Sequence, residues 1–244
     1  MRAVRHFVDA ALAVGTSVEL PETAVAHLVR VLRLEVGDPV VLFNGDGCDY
    51  PSRLLSAGKR TAEAQVLERI ALDNESPLSF TLAQGIARGE KMDLILQKAT
   101  ELGVARIAPV ITERTEVKLD AERSVKRLAH WRGVLQSACE QSGRARIPEL
   151  LEPQSLAQFA AKEPPGHRFL LDPFAERGIA DARVAAGDRI TLLIGPEGGL
   201  SERDHLTLRA AGYVGLRLGP RVLRTETAGL AAIAAFNALY GDWR

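Results

Sequence analysis

The spacing of apolar residues along the chain changes near residue 72. Before that point short β-type runs dominate: AVRHFV, PVVLF, CDY and TAEAQVLERI. The tetrapeptide NGDG at 44–47 offers residues that tolerate positive φ, so it predicts a tight turn between two strands. One helix interrupts the runs. Pro21 and Glu22 open it, and Val25, Leu28, Val31 and Leu32 recur at helical spacing. ALDNESP (71–77) is polar and turn-rich, which marks a linker. A small β-rich domain over 1–72 and a larger domain over 73–244 are therefore expected.

From residue 78 strands and helices alternate. LSFTLAQGI and VARIAPVI read as strands, and between them KMDLILQKATELG reads as a helix that stops at Gly103. DAERSVKRLAHWRGVLQSACEQSG predicts a long helix with Val125, Leu128, Leu135 and Ala138 on its apolar stripe. Further strands are expected at 167–171, 189–194 and 213–218. Ser201 opens a helix between the last two, with Asp204 at capping-box spacing. A final helix over 227–240 is apolar nearly all round. Strands continuous in Val, Ile and Leu and separated by helices predict a parallel α/β sheet buried on both faces.

Composition narrows the class. With 46% hydrophobic and 25% charged residues over 244 positions, the chain reads as globular. MRAVRHFVDA carries charge where a signal peptide would be apolar, and Asn237 interrupts the longest apolar run, which is too short to span a bilayer. Cys48 and Cys139 form no CxxC pair, as fits a reducing cytoplasm. Histidines 6, 27, 130, 167 and 205 lack metal-ligand spacing, so no metal is expected. Net charge is zero, yet residues 88–146 hold twelve Lys/Arg against eight Asp/Glu, which a basic face or an ordinary solvated helix would each explain.

The candidate chemistry lies in three loops that follow predicted strands, where parallel sheets bind ligands. They are LLDPFAERG, IGPEGGLSERD and LGPRVLRTETA. Gly195, Gly198 and Gly199 permit close backbone approach, and the helix after Ser201 offers free N–H groups. Leu200 stands where a phosphate-binding loop would carry Lys, and no dinucleotide fingerprint is present. GPEGG by itself is also an ordinary strand-to-helix turn. In the third loop Arg221, Arg224, Thr225, Glu226 and Thr227 exceed what starting a helix needs: Thr225 or Thr227 would suffice as the cap.

Taken together, LLIGPEGGLSERD and LGPRVLRTETA resemble the cofactor loops of the SPOUT superfamily of RNA methyltransferases. Within it they resemble the family that methylates N3 of a uridine in small-subunit ribosomal RNA. The resemblance extends to RGEKMDLILQKATELGVARIAPVITERTEVK (88–118), ACEQSGR (138–144) and RHF…HLVRVLRLEVGD (5–38). It implies a C-terminal α/β domain with a deep trefoil knot, a PUA-like N-terminal domain and a homodimer. It also implies S-adenosylmethionine as methyl donor and 16S ribosomal RNA, or the assembled small subunit, as partner. Carried onto this chain, the resemblance places Leu171, Gly195, Pro196, Glu197, Gly198, Leu218, Gly219, Arg221, Leu223, Thr225, Glu226 and Ala228 around the cofactor.

N3 methylation requires loss of the imino proton and an unpaired or flipped base. Glu140 or Glu226 could accept the proton, and the residues do not choose between them. Arg144, Arg221 or Arg224 could stabilise charge developing on the uracil carbonyls. Arg5, His6, His27, Arg30 and Arg33 are the RNA contacts expected in the first domain, with Arg88 and Lys91 in the second. His27 could equally be a satisfied core histidine. A non-catalytic RNA-binding module and a different nucleotide-dependent enzyme are the competing classes. The intact GPEGG and RTET segments argue against the first, and the missing fingerprints against the second.

Overall fold

A computed structural model describes residues 4–117 and 121–243. Lys118, which ends one motif, and Asp120, the expected start of the long helix, lie outside the described residues, as do Met1–Ala3 and Arg244. The chain divides into two compact units. The first comprises residues 1–74 and 136–147, the second 75–135 and 148–244. The expected division at 72 did not anticipate that 136–147, in the middle of the chain, belongs to the first unit.

The first unit is a mixed sheet. Its elements are β1 (Val4–Phe7), β2 (Ser17–Glu19), α1 (Glu22–Val25), β3 (Pro39–Phe43), β4 (Cys48–Ala57), β5 (Ala62–Val66) and β6 (Ile70–Ala71). The strand order is β1-β3-β4-β5-β2, with β6 paired to β4. Gly45 and Gly47 adopt φ of 93° and 91° in the tight NGDG turn joining β3 to β4. Leu20, Leu28, Leu42, Tyr50 and Leu54 are among the buried core residues. The helical stretch differs from expectation: after one α-turn it becomes a π-helix over Ala26–Val31. Widening the turn breaks the 3.6-residue stripe, so Val31 (69%) and Leu32 (41%) are exposed while Leu28 stays buried. Phe43, Cys139 and Ala145 form a second small core, which ties 136–147 to this unit.

The second unit contains β7 (Ser79–Gly85), α2 (Glu90–Glu101), β8 (Arg106–Ile111), α3 (Ala121–Ser142, whose last turns belong to the first unit), β9 (Glu149–Leu150) and β10 (Gln154–Ser155). It continues with α4 (Leu156–Lys162), β11 (His167–Leu171), β12 (Arg189–Ile194), α5 (Glu202–Ala210), β13 (Val214–Leu216) and α6 (Thr225–Tyr240). The sheet order is β10-β8-β7-β12-β11-β13, with β9 on β8, and every pairing is parallel. Helices cover both faces, as the continuous apolar strands require. Leu156 and Phe159 of α4 and Leu208 of α5 pack with Ala83, Leu170 and Leu193 on one face. On the other, Phe236 of α6 lies 6.1 Å from the Phe80 ring and stacks on Phe169 at 5.7 Å. Leu128, Leu135 and Ala138 of α3 are buried as expected, but Val125 is 69% exposed.

Candidate active site

β11, β12 and β13 are parallel neighbours, so the loops that follow them emerge together at the carboxyl end of the strands. Together they enclose a cavity of about 630 Å³. Ile194 and Leu216, the last residues of β12 and β13, are 3% and 0% exposed and line its apolar floor. Leu171, Gly195, Pro196, Glu197, Leu218, Arg221, Leu223, Thr225, Glu226 and Ala228 all line it too, as does Arg224.

Thr225 latches the cavity. Its hydroxyl donates to the Gly195 carbonyl at 2.6 Å and accepts from Gln84 Nε2 at 2.9 Å, joining the ends of β7 and β12 to the start of α6. Because that hydroxyl is engaged across the fold, it does not cap α6. The N-cap is Arg224 in an extended conformation with no side-chain cap bond, which corrects the expected Thr225 or Thr227 cap. Close backbone approach is visible at Gly85, where a Cβ would lie 2.5 Å from Pro196 N. Gly229 performs the same service inside α6, since a Cβ there would meet Leu82 at 3.1 Å and Ile194 at 3.2 Å.

Two of the expected cofactor residues do not line the cavity: Gly198 and Gly219. Gly198 faces the chain instead. A Cβ on it would meet Arg114 Cβ at 3.1 Å, and its carbonyl accepts from Arg114 Nη1 at 3.1 Å. Gly219 has φ of 67° and serves the turn after β13. Sequence reasoning passed over Ile194, Leu200, His205, Phe174, Val222 and Arg114, which do line the cavity. Ile194 and Leu200 adjoin the quoted glycines and were within reach of that signal. Phe174 and Arg114 lie within the quoted LLDPFAERG and 88–118 segments, but nothing in their residue type sets them apart there.

Charge is concentrated at Lys91, expected as an RNA contact and found in the cavity wall. Its Nζ lies 3.2 Å from Glu197 Oε1 and 3.8 Å from Glu226 Oε2. Burial raises the Glu197 carboxyl, but hydrogen bonds from the Arg88 backbone N–H, its own N–H and Lys91 outweigh that and hold it below its ordinary value. Glu226 Oε2 is buried without a hydrogen-bond partner. Arg88 is exposed and pairs with Glu116.

The other candidates belong to the first unit. Arg5 is 8% exposed; it donates to Asp49 at 3.1 and 2.5 Å and to the Cys139 carbonyl at 2.8 Å. Every direction of its fork is directed into the protein, so Arg5 is not an RNA contact but a tie between β1, β4 and the end of α3. His6 is 7% exposed and its Nδ1 lies 2.8 Å from Glu140 Oε1, so it too is interior. His27 stands 5.7 Å from His6, ring to ring. These histidines, without metal spacing in sequence, meet in space: ligand atoms of His6, His27 and Glu140 lie within 4.8 Å of one another. The group already engages itself, because Glu140 Oε1 also accepts the Phe7 N–H at 3.0 Å. Arg144 is 4% exposed, and its carbonyl accepts from Arg5 at 3.3 Å. Neither Glu140 nor Arg144 lines the cavity. Arg30 and Arg33 are exposed, with Arg33 at φ of 58°.

Comparison with known proteins gives this geometry a family. Residues 74–237 match the model for the RNA methyltransferase domain, and 20–67 match that for the RNA methyltransferase PUA domain. Ribosomal RNA small subunit methyltransferase E of Buchnera aphidicola is 31% identical over 242 residues, covering 99% of this chain and 98% of its own. The Mycobacterium tuberculosis protein of that name is 34% identical and covers 89% and 84%. The chain belongs to the ribosomal RNA small subunit methyltransferase E family. Among solved structures, that enzyme from Neisseria gonorrhoeae, bound to S-adenosyl methionine, is 40% identical with a TM-score of 0.93 over the whole of both chains. A Legionella pneumophila protein with the same cofactor bound is 38% identical with a TM-score of 0.96, covering 99% of this chain and all of its own. The two family models thus follow the two-part organisation read above.

Proposed function

We propose that the protein transfers a methyl group from S-adenosylmethionine to N3 of an unpaired uridine in small-subunit ribosomal RNA. The observation that carries this reading is the cavity itself, in which three loops after adjacent parallel strands are latched by Thr225 over an apolar floor. A site of this size fits a nucleoside-sized cofactor. The loop backbones after β12 and β13 and the side chains of Ile194 and Leu216 would hold it, and it would supply an electrophilic sulfonium methyl.

Glu226 is the carboxylate that takes the N3 proton in this reading. It lines the cavity with one buried oxygen that accepts no hydrogen bond, whereas Glu140 is engaged by His6 and the Phe7 N–H. Lys91 Nζ stands 3.8 Å from Glu226 Oε2. Arg221 and Arg224, exposed at the cavity wall, face charge developing on the uracil carbonyls. Arg30 and Arg33 are the first unit's contacts to the RNA backbone.

The same reading includes a trefoil-knotted catalytic unit, a homodimer and a cytoplasmic enzyme. The dimer is supported by α6, where Leu230, Ala231, Ala234 and Ala235 stay half-buried and Leu239 is 45% exposed, a strip suited to a second copy. No described helix is long and apolar enough to cross a membrane. The test is methyl transfer from labelled S-adenosylmethionine to small-subunit ribosomal RNA, with digestion to nucleosides. Label in 3-methyluridine is expected; label in any other nucleoside, or none, would overturn the reading.

A further inference from the structure

We propose that Phe174 is the stacking platform that presents the target uracil at the mouth of the cavity, an inference that rests on the function proposed above. Phe174 is 88% exposed, more than any other large apolar side chain among the described residues, yet it lines the cavity. It does not sit on a loose loop. Its N–H donates to Asp172 Oδ1 at 2.9 Å, the Ala175 N–H to the Asp172 carbonyl at 3.1 Å, and the Asp172 N–H to the Leu216 carbonyl at 3.0 Å. The turn is further packed against β13, where a Cβ on Gly215 would meet Ala175 Cβ at 3.2 Å. An anchored turn thus holds an aromatic ring out in water, which costs burial and returns nothing to the fold.

The position selects the ligand. Ile194 and Leu216 form the enclosed floor, and a cofactor seated there leaves the exposed ring open to the second reactant. That reactant enters from solvent, past Lys91 and Arg114, whose cations suit a nucleic-acid backbone. Val222, 74% exposed on the loop after β13, offers a second apolar surface on the same cavity. A flat pyrimidine that has left its own stack regains stacking on Phe174 without any demand on its imide edge. The edge bearing N3 therefore stays free for the reaction.

The experiment compares the parent with Phe174→Leu and Phe174→Trp. Each is assayed for methyl transfer to small-subunit ribosomal RNA, for S-adenosylmethionine affinity by calorimetry, and for oligomeric state by sedimentation. Loss of one base–aromatic stack predicts a fall in kcat/KM for RNA of about ten-fold or more in F174L, with cofactor affinity within two-fold of the parent. F174W should keep parental activity, and its added emission should be quenched by RNA and not by cofactor. Unchanged kcat/KM in F174L would overturn the inference. So would a parallel loss of cofactor affinity, which would assign the ring to the adenine, or conversion to monomers, which would assign it to a subunit contact. An active parent with any of these results overturns this inference alone. A parent that transfers no methyl group to RNA overturns the proposed function and the inference with it.

Discussion

Two regions of this protein are built from the same residue types and behave as opposites. In the first unit Arg5, His6, Asp49 and Glu140 are interior and face one another; in the second, Lys91, Glu197, Arg221, Arg224 and Glu226 surround an open cavity. Arg5 is hydrogen-bonded to a carboxylate and to backbone carbonyls, and Glu140 to a backbone N–H. Glu226 Oε2 is buried and accepts no hydrogen bond, with the Lys91 ammonium 3.8 Å away. A charge met by a carboxylate and backbone carbonyls, as Arg5 is, maintains structure, whereas a buried carboxylate oxygen that accepts no hydrogen bond at a cavity wall is available to a ligand. Residue type alone does not separate the two cases.

The comparison can be broken most sharply at Glu226. Glu226→Gln keeps shape and removes the basic carboxylate, so methyl transfer should fall about 10²- to 10⁴-fold, the usual worth of a general base. Denaturation midpoint and cofactor affinity should stay close to the parent. If E226Q retains full turnover, the open acceptor has no catalytic use and the contrast between the regions loses its meaning.

Arg5→Ala should do the reverse. It strands Asp49, and removal of one partner from a buried pair costs about 3–5 kcal/mol. Urea unfolding would register the loss, while cofactor affinity of the still-folded fraction should be unchanged. A stability change under about 0.5 kcal/mol, with RNA affinity lost, would restore Arg5 to the RNA surface.

A smaller effect is expected at Thr225, where the two themes meet. Thr225→Val deletes the bond to the Gly195 carbonyl and the acceptor for Gln84, which should cost about 1–3 kcal/mol. Cofactor affinity should fall as well, because the latch shapes the cavity. Calorimetry showing parental affinity in T225V would mean that the loops hold their form without it.

The smallest effect is a pH dependence. Burial raises the Glu140 carboxyl, but hydrogen bonds from His6 and the Phe7 N–H, together with the charge of His6 and His27, outweigh that and hold it below its ordinary value of 4.5. A depressed carboxyl contributes stability that is present above the ordinary value and lost as pH falls through the folded one. The stability difference between the parent and Glu140→Gln should thus be constant down to about pH 5 and shrink below it. A difference that persists unchanged to about pH 3 would show that the carboxylate charge is not what Glu140 contributes.

The sequence by itself determined the order of elements, because local rules control them. The continuous apolar strands required a sheet covered on both faces, Ser201 and Asp204 formed the expected capping box, and the glycines of NGDG took positive φ. It also located the three cavity loops, two of them by residue type and all three by their place after a strand. Tertiary structure decided the rest. Cys139 and Ala145 lie in the middle of the chain, and only long-range packing against Phe43 assigns them to the first unit. Thr225 reads as a helix cap until Gly195 and Gln84, 30 and 141 residues away, claim its hydroxyl. Val31 and Val125 have core spacing and remain exposed, since periodicity gives a face and not what covers it. Arg5 and Arg221 are both arginines near other motif residues in the sequence. What separates them is where the field of each guanidinium ends, in a carboxylate of the fold or in a cavity open to a ligand, and that depends on contacts between residues the sequence does not bring together.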